Sequence, residues 1–152
     1  MEELRYLIVD DSPTVRLTVK QGLLQEKVPA DHIVEVGSAA DALTAFDRVH
    51  PQVVFLDVSL GEAARPGAEF DILSRPRAGP KSGNEVARHF RTRDPSVTIV
   101  VCTGNSTDDP RVRELIQGGA FQVLQKPVRL PQIREVLHQI REERGDGAAP
   151  SP

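Results

Sequence analysis

Val53 to Asp57, read VVFLD, is an unbroken apolar run that ends on a carboxylate. Two of its four apolar residues are β-branched and no position in the run is polar, so it reads as a strand buried on both faces. A strand of that kind belongs in a parallel sheet covered by helices on either side, which leaves few other architectures open. Three further apolar segments repeat the arrangement. Leu7 to Val9 leads into Asp10 and Asp11, Val97 to Cys102 leads into Thr103, and Gln122 to Gln125 leads into Lys126. Alone, Asp57 would read as a turn or N-cap carboxylate, Thr103 as a turn former and Lys126 as a solvated strand-end charge. In an open parallel sheet the carboxyl ends of the strands share one rim, so acid, acid, hydroxyl and amine are expected to converge there.

The segments between these runs have helical periodicity. Ser12 suits an N-cap and Pro13 the first helical position, and Val15, Val19, Gly22 and Leu23 then recur on one face, with Arg16, Lys20 and Glu26 largely off it. That helix should end before Pro29. His32 to Val36 alternates as a short second strand, and Ser38 with Asp41 resembles a capping pair opening a helix whose stripe is Ala39, Ala42, Leu43, Phe46 and Val49. His50 follows as a surface residue at its end, with no second His or Cys at metal-ligand spacing. Val86, Ala87 and Phe90 stripe a third helix opening near Gly83. Asp109 and Pro110 start a fourth, with Val112, Leu115 and Ile116 as its inner face and Gly118 and Gly119 as its stop. Gln122 to Gln125 is short and half polar, which suits an edge strand. The last helix covers about Leu130 to Arg144, with Leu130, Ile133, Val136, Leu137 and Ile140 inward and Arg134, Glu135, Arg141 and Glu142 toward water. The β-α unit thus occurs five times, as right-handed crossovers in a parallel sheet require. Residues 1–144 are read as one domain carrying an insertion at about 61–80, and 145–152 as a disordered tail.

The 152 residues suffice for one substantial core, and the formal net charge of −3 disfavours a large nucleic-acid footprint. The single cysteine, Cys102, excludes an internal disulfide and lies in an apolar run, where burial would make it a poor nucleophile. MEELRYLIVDD has acids where a signal peptide needs a basic leader, and no apolar run approaches a membrane span, so a cytoplasmic protein is expected.

Three carboxylates, a hydroxyl and an ammonium on one rim suit phosphoryl chemistry. Asp10, Asp11 and Asp57 offer hard oxygen ligands to Mg²⁺. With the metal present Asp57 could attack a phosphoryl group in line, the transferred charge falling to the metal and Lys126, with a hydrogen bond from Thr103.

LIVDDSPTVR, VVFLDVSL, VVCTGN and GGAFQVLQKP, in this order, resemble the signature segments of the CheY-like receiver domains of two-component response regulators. The likeness covers about residues 4 to 143. It implies a flavodoxin-like α/β fold, a five-stranded parallel sheet of order 2-1-3-4-5 with five helices. It further implies Asp57 as phosphoacceptor from a histidine kinase or phosphotransfer protein, Thr103 as switch hydroxyl and Lys126 as phosphate contact. Asp11, Asp57 and the backbone carbonyl of Ser59 would hold Mg²⁺, with Asp10 on metal-bound water or the lysine. The Lys126–Pro127 bond is expected to be cis.

Two departures stand out. Where the family commonly has an aromatic residue, three positions before the lysine, this chain has Val123; Phe121 is expected on the same face at a different level. The stretch Gly61 to Pro80 also intervenes between the phosphoacceptor and the helix-opening Gly83, either as a solvated insertion or as a lid or partner-binding loop. The expectation is a stand-alone phosphoprotein in a phosphorelay, a signalling switch rather than an enzyme apart from self-dephosphorylation. Its output would be phosphorylation-dependent binding to a downstream protein, without a DNA-binding domain or membrane partner, with pairing into a homodimer left open. The alternative is a receiver-like interaction module that is never phosphorylated. A phosphohydrolase would need an Asp two positions after Asp57, where Ser59 stands, and a flavin site would not tolerate the carboxylates of DDSPT.

Overall fold

A computed structural model describes residues 4–60 and 82–145. The chain order is β1 (Tyr6–Val9), α1 (Pro13–Gln25), a 3₁₀ turn (Ala30–His32), β2 (Ile33–Val36), α2 (Ala39–Val49) and β3 (Val53–Asp57), then α3 (Gly83–Arg93), β4 (Thr98–Thr103), α4 (Pro110–Gln117), β5 (Gln122–Gln125) and α5 (Leu130–Glu143). The five strands form one parallel sheet in the order β2-β1-β3-β4-β5, the flavodoxin-like arrangement. Positions 61–80, expected as an insertion, and 146–152, expected as most of a tail, lie outside the described residues.

Alternation along the strands divides the core into two layers. Ile8, Phe55, Val100, Cys102 and Leu124 point to the side covered by α1 and α5, where they meet Val19, Leu23, Ile133, Val136, Leu137 and Ile140. Leu7, Val9, Val54, Leu56, Ile99 and Val101 point the other way, to Ala42, Phe46, Val86, Phe90, Val112 and Leu115 of α2, α3 and α4. All five positions of β3 are buried, as its apolar run requires of a central strand. The Phe46 and Phe90 rings stack at 4.2 Å between α2 and α3.

Local chemistry sets the helix starts. Ser12, Ser38, Ser82 and Asp109 each accept a hydrogen bond from a backbone N–H in the first turn of α1, α2, α3 and α4. Gly118 and Gly119 end α4, the latter at φ 105, and His50 closes α2 in the left-handed region at φ 54, exposed as expected.

Several expectations need correction. His32 belongs to the 3₁₀ turn, its N–H bonded to Pro29 O at 2.9 Å, so β2 begins one residue later. β4 runs from Thr98 to Thr103 rather than from Val97 to Cys102, because pairing with β5 continues to Thr103 opposite Gln125. Ile116 is 45% exposed: Val112 and Leu115 already complete the buried stripe of the short α4. Leu130 is only half-buried, and so is Arg141, which was expected to face water: it donates to Glu26 O at 3.0 Å. Phe121 and Val123 do not share a face. Phe121 precedes β5 and packs in the α1/α5 layer, whereas Val123 packs in the α2/α3/α4 layer, since strand alternation begins only at Gln122.

Candidate functional site

The endings of β1, β3, β4 and β5 meet at one edge of the sheet. Carboxylate oxygens of Asp10, Asp11 and Asp57 lie within 4.8 Å of one another, with Asp10 and Asp57 buried and Asp11 exposed. The Lys126 ammonium reaches in from the end of β5, 3.1 Å from Asp10 Oδ2 and 3.3 Å from Asp57 Oδ1. The Lys126–Pro127 bond is cis, as expected. Lys126 N–H donates to Thr103 O at 2.8 Å, which joins the ends of β4 and β5.

Each acid is held by its own backbone turn. Ser12 N–H donates to Asp10 Oδ1 at 2.9 Å, and Ser59 N–H donates to Asp57 Oδ1 at 2.9 Å. Asp57 pairs with Cys102 in the ladder, so Thr103 stands one residue further toward the rim. Thr103 is buried, and its Oγ1 accepts from Asn105 N–H at 2.9 Å.

Charge in this cluster is unbalanced: three carboxylates face one ammonium. Burial first, and then the neighbouring Asp10 charge, push the Asp57 pKa up, only partly offset by the Ser59 N–H and Lys126. Burial alone would lower the Lys126 pKa, but Asp10 and Asp57 outweigh it and the net shift is upward. Asp10 Oδ2 is buried, with the Lys126 ammonium 3.1 Å away as its ion-pair partner. Three carboxylates whose oxygens lie within 4.8 Å of one another, outnumbering the one ammonium beside them, fit a small divalent cation such as Mg²⁺. Cys102, beneath this rim, is pushed up to about 12 chiefly by burial and is an inert core thiol.

No family model matches the sequence. Among proteins of known role, the chain is 31% identical over 131 residues to protein-glutamate methylesterase/protein-glutamine glutaminase 4 of Myxococcus xanthus, covering 84% of this chain and 31% of that protein. It is 23% identical over 134 residues to chemotaxis protein CheY of Listeria monocytogenes, covering 88% of this chain and 95% of that one. Among solved structures, the CheY-like response regulator receiver domain protein of Methanospirillum hungatei superposes with a TM-score of 0.69 at 20% identity, over 96% of this chain and 97% of that chain. The chain is a CheY-like receiver domain by fold. It spans about a third of the methylesterase and nearly all of the chemotaxis protein.

The receiver's site contains residues that were not singled out from sequence. Arg16, expected largely off the apolar face of α1, donates through Nη1 to the Asp10 carbonyl at 2.7 Å and through Nε to Glu35 at 3.1 Å, bracing the β1 ending against β2. Lys20 joins the same carboxylate at 3.6 Å. An acid on β2 is a visible signal, but its pairing with the first turns of α1 needs the strand register. Gly83 is tied to the site sterically: a Cβ there would stand 2.5 Å from the Asp57 carbonyl oxygen. Asn84, buried beside it, donates through Nδ2 to Arg111 O and Glu114 Oε1, both at 3.0 Å, and so clips α3 to α4. Arg88 adds an ion pair to the same Glu114.

Proposed function

We propose that this receiver accepts a phosphoryl group on Asp57 from a phosphohistidine of a sensor kinase or phosphotransfer protein, in the presence of Mg²⁺, and signals by phosphorylation-dependent protein binding. The observation that carries this reading is the meeting of three carboxylates with one ammonium, Lys126 lying 3.1 and 3.3 Å from Asp10 and Asp57.

Asp11, Asp57 and the Ser59 carbonyl would hold the ion, with Asp10 on metal-bound water or on Lys126, which lies 3.1 Å from it. Mg²⁺ bound there offsets the charge of the acids and of the incoming group. The Asp57 carboxylate forms the new P–O bond as the donor's P–N bond breaks, and the electron pair of that bond leaves with the imidazole. Lys126 stays charged throughout and neutralises oxygen charge on the transferred group. Burial of Asp57, at 2% exposed, limits the approach of bulk water to the product. Thr103, one residue beyond the ladder partner of Asp57, donates a hydrogen bond from its hydroxyl to a phosphoryl oxygen and moves toward it. That movement biases a pre-existing two-state equilibrium read by a protein partner.

The chain covers 95% of the Listeria chemotaxis protein's length, whereas in the methylesterase the matched part belongs to a longer chain. Intact mass after incubation with acetyl phosphate and Mg²⁺ tests the core of the reading. A metal-dependent gain of one phosphoryl group, absent from Asp57→Asn, is expected. No gain in a folded, Mg²⁺-binding protein rejects it in favour of an interaction module that works unphosphorylated.

A further inference from the structure

Asp10 lies one position beyond the end of β1, and its backbone still follows the ladder. Val9 is paired with Val36, and Asp10 N–H donates to Val36 O at 3.1 Å. In a parallel ladder the carbonyl of such a residue points to the same neighbour and takes the N–H two residues further along it, here that of Ser38. β2 ends at Val36, however, and Ser38 is already the N-cap of α2. A side chain takes the carbonyl instead: Arg16 Nη1 donates to Asp10 O at 2.7 Å. Gly37 leaves room for it, since a Cβ there would stand 3.0 Å from Nη1. Glu35 of β2 aims the guanidinium, its Oε1 accepting from Nε at 3.1 Å, with Lys20 Nζ 3.6 Å from Oε2. The carbonyl so held belongs to the peptide that joins Asp10 to Asp11. That peptide is planar, so fixing its oxygen fixes its tilt and the directions in which the two acids leave the backbone.

We propose that Arg16, aimed by Glu35 across the gap that Gly37 keeps open, is a positioning residue for divalent-cation binding by Asp10, Asp11 and Asp57, acting through the Asp10–Asp11 peptide. The inference rests on the Mg²⁺ part of the reading above and adds a residue behind the acids that sets their affinity. The sign of its effect separates position from charge. An arginine is always protonated, and a cation this close to the acids opposes a second one, so through space alone its removal would tighten Mg²⁺ binding. Loss of position acts the other way, because partners that orient metal-binding groups are commonly worth about 10- to 100-fold in affinity. Position outweighs charge here: Glu35 already neutralises much of the guanidinium's field, whereas no strand N–H takes over the Asp10 carbonyl once β2 has ended.

Calorimetric titration of the full chain with MgCl₂ measures the dissociation constant, and the backbone amide resonance of Asp11 in the metal-free protein reports the peptide itself. Arg16→Met is expected to weaken Mg²⁺ binding about tenfold and to move the Asp11 resonance before any metal is added. Gly37→Ala crowds the guanidinium without changing any charge, and it should act in the same direction on both readouts. It also serves as the deciding variant if Arg16→Met does not fold. A brace that only stabilised the fold would lower the melting temperature and leave the dissociation constant where it was. Unchanged or tighter Mg²⁺ binding in the folded variant overturns the positioning role alone, and weaker binding with an unmoved Asp11 resonance overturns the route through the peptide. A wild type that binds no Mg²⁺, or whose binding survives Asp11→Asn undiminished, overturns the metal reading and this inference with it.

Discussion

At the residue scale the site stores electrostatic stress. Asp57 has its pKa raised by burial and by Asp10, so as pH rises the unfolded chain ionises first, near the ordinary value of 3.8, and the folded chain later. In that window the folded state binds more protons, and stability falls with rising pH; above it the penalty is fully present. Asp57→Asn should therefore raise the neutral-pH stability of the metal-free protein by roughly 1 to 2 kcal/mol. A urea titration at pH 7 measures it, and a loss of stability would show that the carboxylate is better accommodated than its surroundings indicate. Lys126→Ala acts in the opposite direction. It leaves Asp10 and Asp57 buried without their shared cation, at a cost of about 2 kcal/mol. Because the Lys126 pKa is raised, its contribution is complete below the ordinary lysine value and is lost as pH climbs through the folded one. Gly83→Ala adds a methyl 2.5 Å from the Asp57 carbonyl oxygen, and backbone cannot yield as a flexible side chain does. About 2 kcal/mol of destabilisation is expected in the same titration.

At the element scale, α5 lies close against α1 and is clamped to the sheet at its far end. Gly22 of α1 lets Ile133 approach, and a Cβ at that position would meet Ile133 Cγ2 at 2.6 Å. Alanine is the better helix former by about 1 kcal/mol, yet overpacking should win, so Gly22→Ala is expected to destabilise by about 1 kcal/mol net. A rise in melting temperature would mean that α5 simply shifts outward. At the far end, Arg144 Nη2 donates to Gln52 O at 2.9 Å, Ser96 O at 2.8 Å and Thr98 Oγ1 at 3.0 Å, clamping the C-cap of α5 to the amino ends of β3 and β4. Faster hydrogen exchange in the last turn of α5 is the expected signature of Arg144→Ala.

For the whole molecule, Mg²⁺ should act as a folding ligand through the three acids. Saturation at a hundred times the dissociation constant stabilises by about 2.7 kcal/mol. A melting curve in Mg²⁺ should shift upward, return to baseline in EDTA, and show no shift for Asp11→Asn. An undiminished shift in that variant would place the ion elsewhere. Among the described residues, no helix is long and apolar enough to cross a membrane.

Strand identity and the converging strand-end residues were legible from sequence alone, because a doubly buried strand forbids polar residues until it reaches the rim. VVFLD could end only there. Ser12 with Pro13, Ser38 with Asp41, and Asp109 with Pro110 announced their helices for an equally local reason, capping over three residues. What tertiary structure alone decided involves pairs distant in sequence: Arg16 with Glu35, Asn84 with Arg111, Gly83 with Asp57, Asn105 with Gln125. The faces of Phe121 and Val123 belong with them, since alternation holds only inside a strand and the start of β5 is set by its pairing with β4. Periodicity records which residues must be buried. It carries no register between elements, and register is what brings the polar partners of this site together.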